Sequence, residues 1–97
     1  MPKIQKLNLN GNKITEFRVE FKPPSSLSLQ FLDLGTNLID FNNYEFFDFL
    51  EKLKKLKNLK ALVVTNNPFA DENKFDQIVN AMPTLEMFNF EKAEEYR

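Results

Sequence analysis

The 97-residue sequence has no cysteine and no histidine. It therefore offers no disulfide, no thiolate nucleophile, none of the usual zinc ligands and not the commonest general base. A catalyst built on it would need carboxylates or lysine alone. The adjacent acidic pairs Asp71-Glu72 and Glu94-Glu95 sit on a predicted cap and tail, where such neighbours are solvated, so the sequence reads as that of a non-enzyme. With only two glycines, Gly11 and Gly35, no Gly-rich phosphate loop is available, and both are expected at turns. Neither sign of charge dominates: 13 Lys+Arg against 14 Asp+Glu leave a net charge of -1, which gives no global field toward nucleic acid or acidic lipid. Met1-Pro2-Lys3 runs straight into Ile4-Gln5-Lys6-Leu7-Asn8 without the apolar core of a signal peptide. No apolar run reaches membrane-spanning length, and no Asn-x-Ser/Thr sequon occurs. An intracellular location, cytoplasmic or nuclear, is the expectation, with no membrane and no cofactor. The 42% apolar and 28% charged residues are the balance of a folding chain.

What is present is a repeat. Ile4-x-x-Leu7-x-Leu9-x-x-Asn12-x-Ile14 returns as Leu29-x-x-Leu32-x-Leu34-x-x-Asn37-x-Ile39 and as Leu59-x-x-Leu62-x-Val64-x-x-Asn67-x-Phe69. A degenerate fourth copy begins Leu85-x-x-Phe88-x-Phe90, so the copies start at Ile4, Leu29, Leu59 and Leu85, with the second interval the longest. In a short strand alternate side chains face opposite ways, so Leu7 and Leu9 point inward while Lys6 and Asn8 point out, and successive copies stack as a parallel sheet. Asn12, Asn37 and Asn67 fall where the chain leaves each strand. A carboxamide there can satisfy backbone groups that a tight turn leaves unpaired, so these residues are expected to form a structural ladder and not a ligand site.

The segments between strands differ. Phe17, Val19 and Phe21 alternate with Arg18 and Glu20 before Pro23-Pro24-Ser25-Ser26, which predicts an extended return path with little helix. Phe46, Phe49, Leu50, Leu53 and Leu56 recur at three- and four-residue steps behind the possible capping box Asn42-x-x-Glu45, which predicts a helix over 43–57. Phe41 and Phe47 are expected to thicken the core, and Glu51 to pair with Lys55. A last helix carries Phe75, Ile78, Val79 and Met82, with Asp71 as its cap, Glu72 at its positive end and Pro83 at its stop.

The repeat resembles the leucine-rich repeat family over nearly the whole chain. The ending, from Asn67-Pro68-Phe69 through Pro83-Thr84-Leu85-x-x-Phe88, is similar to the C-terminal cap of the short-helix group: phosphatase regulatory subunits, the spliceosomal A-prime type and axonemal dynein light chains. Asn89 stands where an Asp often follows in that cap, and Phe88 and Phe90 replace smaller aliphatics. The resemblance implies an α/β leucine-rich repeat solenoid of one domain, 1–97. About four short parallel strands line its concave face, helices or irregular segments line its convex face, and a cap spans 68–90. It also implies docking to proteins, and adds the ciliary axoneme to the possible locations.

Alternation places two outward rows on the concave face: Lys6, Phe31, Ala61 and Met87, and beside them Asn8, Asp33, Val63 and Asn89. Apolar residues in the middle of a solvent-facing sheet read as a recognition patch, with Phe31, Val63 and Met87 as anchors and Lys6, Asp33, Asn8 and Asn89 around them. The rival role is a permanent structural subunit of an axonemal or ribonucleoprotein assembly. A third is weak RNA binding through Lys52, Lys54, Lys55, Lys57 and Lys60, which is disfavoured because five charges are few and no stacking aromatics are interleaved with them. Finally, nothing capping precedes Ile4, so the N-terminal edge is expected to be covered. A partner, a second copy and the Phe17 to Phe21 stretch are the alternatives, and a partner within a larger complex is favoured.

Overall fold

The structure, a computed structural model, describes residues 5–16 and 25–96. Four short strands, β1 (Lys6–Asn8), β2 (Phe31–Asp33), β3 (Ala61–Val63) and β4 (Met87–Phe88), lie side by side and parallel in chain order. Their register aligns Lys6, Phe31, Ala61 and Met87. Each of these is the third position of its repeat, so the pairing of the strands reproduces the uneven spacing of the sequence. Leu32, Leu62 and Phe88 are fully buried beneath the sheet, with Leu29, Leu59 and Leu85 at the strand approaches. The first repeat is less well covered: Leu7, Leu9 and Ile14 are half-buried where Leu32, Leu34 and Ile39 are completely enclosed.

The turns that follow the strands are built alike. Gly11, Thr36 and Asn66, each immediately before the ladder asparagine of its repeat, all take positive φ (75°, 53° and 58°). Glycine and asparagine tolerate this, whereas a β-branched threonine adopts it against its own preference. Gly35 is required for a different reason: a Cβ there would meet Asn10 Nδ2 at 2.8 Å, Asp33 Oδ1 at 3.1 Å and Thr65 Oγ1 at 3.2 Å. Its smallness lets three successive turns stack.

The asparagines form the ladder that their position predicts. Asn37 Oδ1 accepts the Asn12 and Ile14 N–H groups at 2.9 and 3.0 Å, and its Nδ2 donates to the Leu9 and Leu34 carbonyls at 3.0 and 2.9 Å. Asn67 Oδ1 accepts the Ile39 N–H at 3.2 Å, and its Nδ2 reaches Leu34 O and Val64 O at 2.9 and 3.0 Å. Each of these two side chains ties its own turn to the preceding one. Buried polar groups are thereby paired, as a dry interior demands.

Helix α1 (Ser25–Ser28) is a single turn, so the breaker cluster does turn helical at its end; Phe17 to Phe21, Pro23 and Pro24 lie outside the described residues. Helix α2 (Asn43–Lys54) opens on the reciprocal capping box of Asn42 and Glu45. It stops at Lys54, short of the expected end, although a turn continues the buried stripe to Leu56. Phe41 joins Phe46, Phe49 and Phe69, with ring centroids 6.5, 5.1 and 4.9 Å from its own. Phe47, in contrast, is 59% exposed, because Phe46 takes the inward position and the next residue is rotated about 100° away from it. Glu51 pairs with Lys54 at 3.1 Å instead of Lys55, using the i,i+3 neighbour.

Helix α3 (Glu72–Ala81) is capped by Asp71, which accepts the Lys74 N–H at 2.9 Å. The chain then departs from a fourth repeat. After β4, Asn89 and Phe90 both take positive φ (50° and 68°), and β5 (Glu91–Lys92) returns antiparallel to β4. This is the geometry of a two-residue type I′ hairpin. Phe90, expected to point inward like Leu9, Leu34 and Val64, instead stands 68% exposed at the tip. A 3-10 turn (Ala93–Tyr96) follows, bringing the Tyr96 ring to within 5.1 Å of Phe88 and 6.2 Å of Phe75.

Candidate functional site

The sheet face opposite the core is where the two outward rows meet solvent, and the rows behave differently. In the first, Lys6 is exposed, Phe31 and Ala61 are half-buried and Met87 is 40% exposed. Their in-register pairing sets them shoulder to shoulder across four strands, at the roughly 4.8 Å spacing of adjacent strands. Lys60 and Glu86, just before β3 and β4, form an exposed ion pair at 3.7 Å. Beside Met87 the surface hollows into a recess of about 520 Å³ lined in part by Glu86, Lys92 and Glu94.

The second row is largely structural, which corrects the expectation that it forms exposed contacts. Asn8 Oδ1 accepts the Asn10 N–H at 3.0 Å, and Asp33 Oδ1 accepts the Gly35 N–H at 2.8 Å; each closes an Asx turn that ends its strand. Asp33 also accepts from Asn10 Nδ2 at 3.2 Å and is only 6% exposed, so its carboxylate joins two repeats and does not sit on a rim. Val63 is 2% exposed, so it cannot be an anchor. Its partner in register is Asp33, and the Asn89 side chain reaches to the neighbouring Val64 N–H at 2.8 Å. Asn89 is thereby committed to the end of β3, and of this row only Asn8 remains fully open.

Phe90 and Tyr44 are among the exposed groups that escaped sequence reasoning. Phe90 lay at an apparent core position, and Asn-Phe lacks the glycine that usually announces a type I′ turn. Tyr44 is 82% exposed near the start of α2, one turn before Phe47, so both fall on one outward stripe of the convex side.

The lysine cluster is partly neutralised by carboxylates. Lys52 pairs with Asp48 at 3.3 Å, Lys54 with Glu51, and Lys60 with Glu86. Among the described residues, Lys55 and Lys57 have no carboxylate within ion-pair distance. Among the same residues no group of three acidic side chains is arranged to hold a metal ion, and no helix is long and apolar enough to cross a membrane.

Comparison with known proteins agrees with this geometry. The Leucine Rich Repeat family model matches residues 3–27, which contain the first repeat. Among solved structures, that of the Chaetomium Mex67:Mtr2 subunits is similar over 96% of this chain, with a TM-score of 0.64 and 20% sequence identity. This chain spans 62% of the length of that one. No curated protein matches the sequence. The chain thus carries a leucine-rich repeat at its start, and its mostly parallel sheet backed by helices has the α/β fold of leucine-rich repeat proteins.

Proposed function

We propose that this chain is a non-catalytic interaction module that binds a segment of a larger protein across the open face of its sheet. Leucine-rich repeats generally mediate protein–protein contact, which supports the class of function. The observation that carries the reading is the in-register row Lys6, Phe31, Ala61 and Met87, in which the apolar members sit side by side and remain partly exposed. An aromatic and a thioether flanked by a charge are the ingredients of a recognition centre with a polar border. Lys6 and Asn8 form one end of the bound segment's path, and the recess beside Met87, near the Phe90 hairpin, forms the other. Affinity capture with the Phe31→Ala/Met87→Asp double variant tests this. The variant loses the partners of the native chain while its melting temperature changes little; retained capture refutes the reading.

A second reading is a permanent structural subunit. It is favoured by β1, which lies at the edge of the sheet among the described residues and whose Leu7, Leu9 and Ile14 are only half-buried, leaving room for another protein to pack against the first repeat. A salt-resistant high-mass peak in size exclusion of cell extract, with no free pool, would favour that role over an exchanging adaptor.

A further inference from the structure

The C-terminal ends of α2 and α3 leave a groove of about 290 Å³ between them. Its floor is apolar: Leu53, Leu56 and Met82, with Ala81 beside them. Its α2 side carries Lys54 and Lys57, both exposed. A helix terminus of this polarity bears about half a unit of negative charge, so two such ends would by themselves repel an anion. Lys54, Lys55 and Lys57 more than reverse that. Lys57 has no carboxylate partner among the described residues, and the Lys54–Glu51 pair is a surface contact of the kind that an incoming carboxylate displaces at little cost. The rest of the chain is acidic: without the five lysines of 52–60, eight Lys+Arg remain against 14 Asp+Glu. A local basic field beside an apolar trough, on an otherwise acidic protein, selects its ligand by charge complementarity.

We infer that this groove is a second docking site, which takes an extended acidic peptide segment. The segment seats an apolar side chain over Leu53, Leu56 and Met82 and sets carboxylates against Lys54 and Lys57. RNA fits less well, because the floor is aliphatic and offers no ring on which a base can stack. The groove adjoins the recess beside Met87, sharing Pro83 and Thr84 with it, but Leu53, Leu56 and Lys57 line the groove and not the recess.

The test is a titration of the 15N-labelled chain, followed by NMR. The probes are a twelve-residue synthetic peptide with a central Leu-Leu flanked on both sides by Asp and Glu, the same peptide with lysine for every acid, and a ten-nucleotide oligouridylate. The acidic peptide shifts amides of residues 53–57, 81, 82 and 84, and the lysine peptide leaves them unmoved. Lys54→Gln with Lys57→Gln weakens the acidic peptide by about tenfold or more, while Lys13→Glu, which lowers the net charge by the same amount, does not. Equal binding of the two peptides, shifts confined to another surface, stronger perturbation by oligouridylate, or no shift at millimolar acidic peptide overturns the inference. The peptide comparison needs no variant, so it stands even if the double substitution disturbs the fold.

Discussion

The side-chain oxygen of Asn89 accepts the backbone N–H of Val64 at 2.8 Å, although the two residues are far apart in the chain. The bond joins the last parallel strand's turn to the end of β3 and satisfies an amide at a wholly buried residue. Asn89→Ala strands that amide, and urea unfolding should show a loss of about 1–3 kcal/mol. Asn89→Asp keeps an acceptor in place and should lose clearly less. A neutral Asn89→Ala would mean that the hairpin is held by its aromatic packing alone.

Phe90 occupies a φ of 68° with most of its ring in solvent. A bulky residue is strained there and glycine is not. Phe90→Gly should therefore stabilise the isolated chain by up to about 1 kcal/mol, read as a higher urea midpoint with an unchanged slope. A destabilised variant would show that the ring contributes packing which outweighs the strain.

Much of the fold was legible because it obeys periodicity. The positions of Leu7, Leu32, Leu62 and Phe88 set the strand register, and Asn42 with Glu45 marked the start of α2 to the residue. Periodicity tells which way a side chain points but not what folds over it. Val63 points away from the core yet is 2% exposed, in a row where Asp33 and Asn89 turn their side chains back to the backbone, and that depends on contacts between repeats. Phe90 was misplaced because the fourth repeat ends in a hairpin whose turn carries no glycine, so the pattern gave no warning. The first row of the candidate site could be read from alternation alone. The groove between α2 and α3 could not, since it exists only once two helices separated by a whole strand and its turn are packed together.

The ladder asparagines are unequal in the structure although they are equal in the repeat. Asn37 is 4% exposed and bonds backbone of its own and the preceding turn, whereas Asn12 is exposed and donates to Asn10 O at 3.3 Å. Asn37→Ala should cost about 3 kcal/mol or more, since several buried groups lose their partners together, and Asn12→Ala less than about 1 kcal/mol. Thermal melts of the two variants should differ plainly. Similar losses would show that the outermost turn is as tightly held as the inner ones.

The Asp71 carboxyl is held below its ordinary value of 3.8, chiefly by the Lys74 backbone N–H it accepts and then by the Lys74 side chain at 3.1 Å. A depressed carboxyl is ionised in the fold where the unfolded chain would bind a proton. Its stabilisation is therefore complete above the unfolded value and is lost as pH falls through the folded one. Melting temperature followed from about pH 5 down to about pH 2 should decline, and Asp71→Asn, which keeps the cap acceptor but cannot titrate, should reduce that decline. An identical acid limb in the variant would assign the pH dependence to other groups.

The open sheet face is tested most directly by side-chain footprinting of the chain free and bound to its captured partner. Hydroxyl radicals oxidise methionine and aromatic side chains in proportion to their exposure, and the structure offers reporters on both sides: Phe31 and Met87 on the sheet, Tyr44 and Phe47 on α2. Protection of Phe31 and Met87 on binding, with Tyr44 and Phe47 still fully reactive, is the predicted result. Protection of Tyr44 and Phe47 with Met87 oxidised as in the free chain would contradict it and move the interface to the convex side.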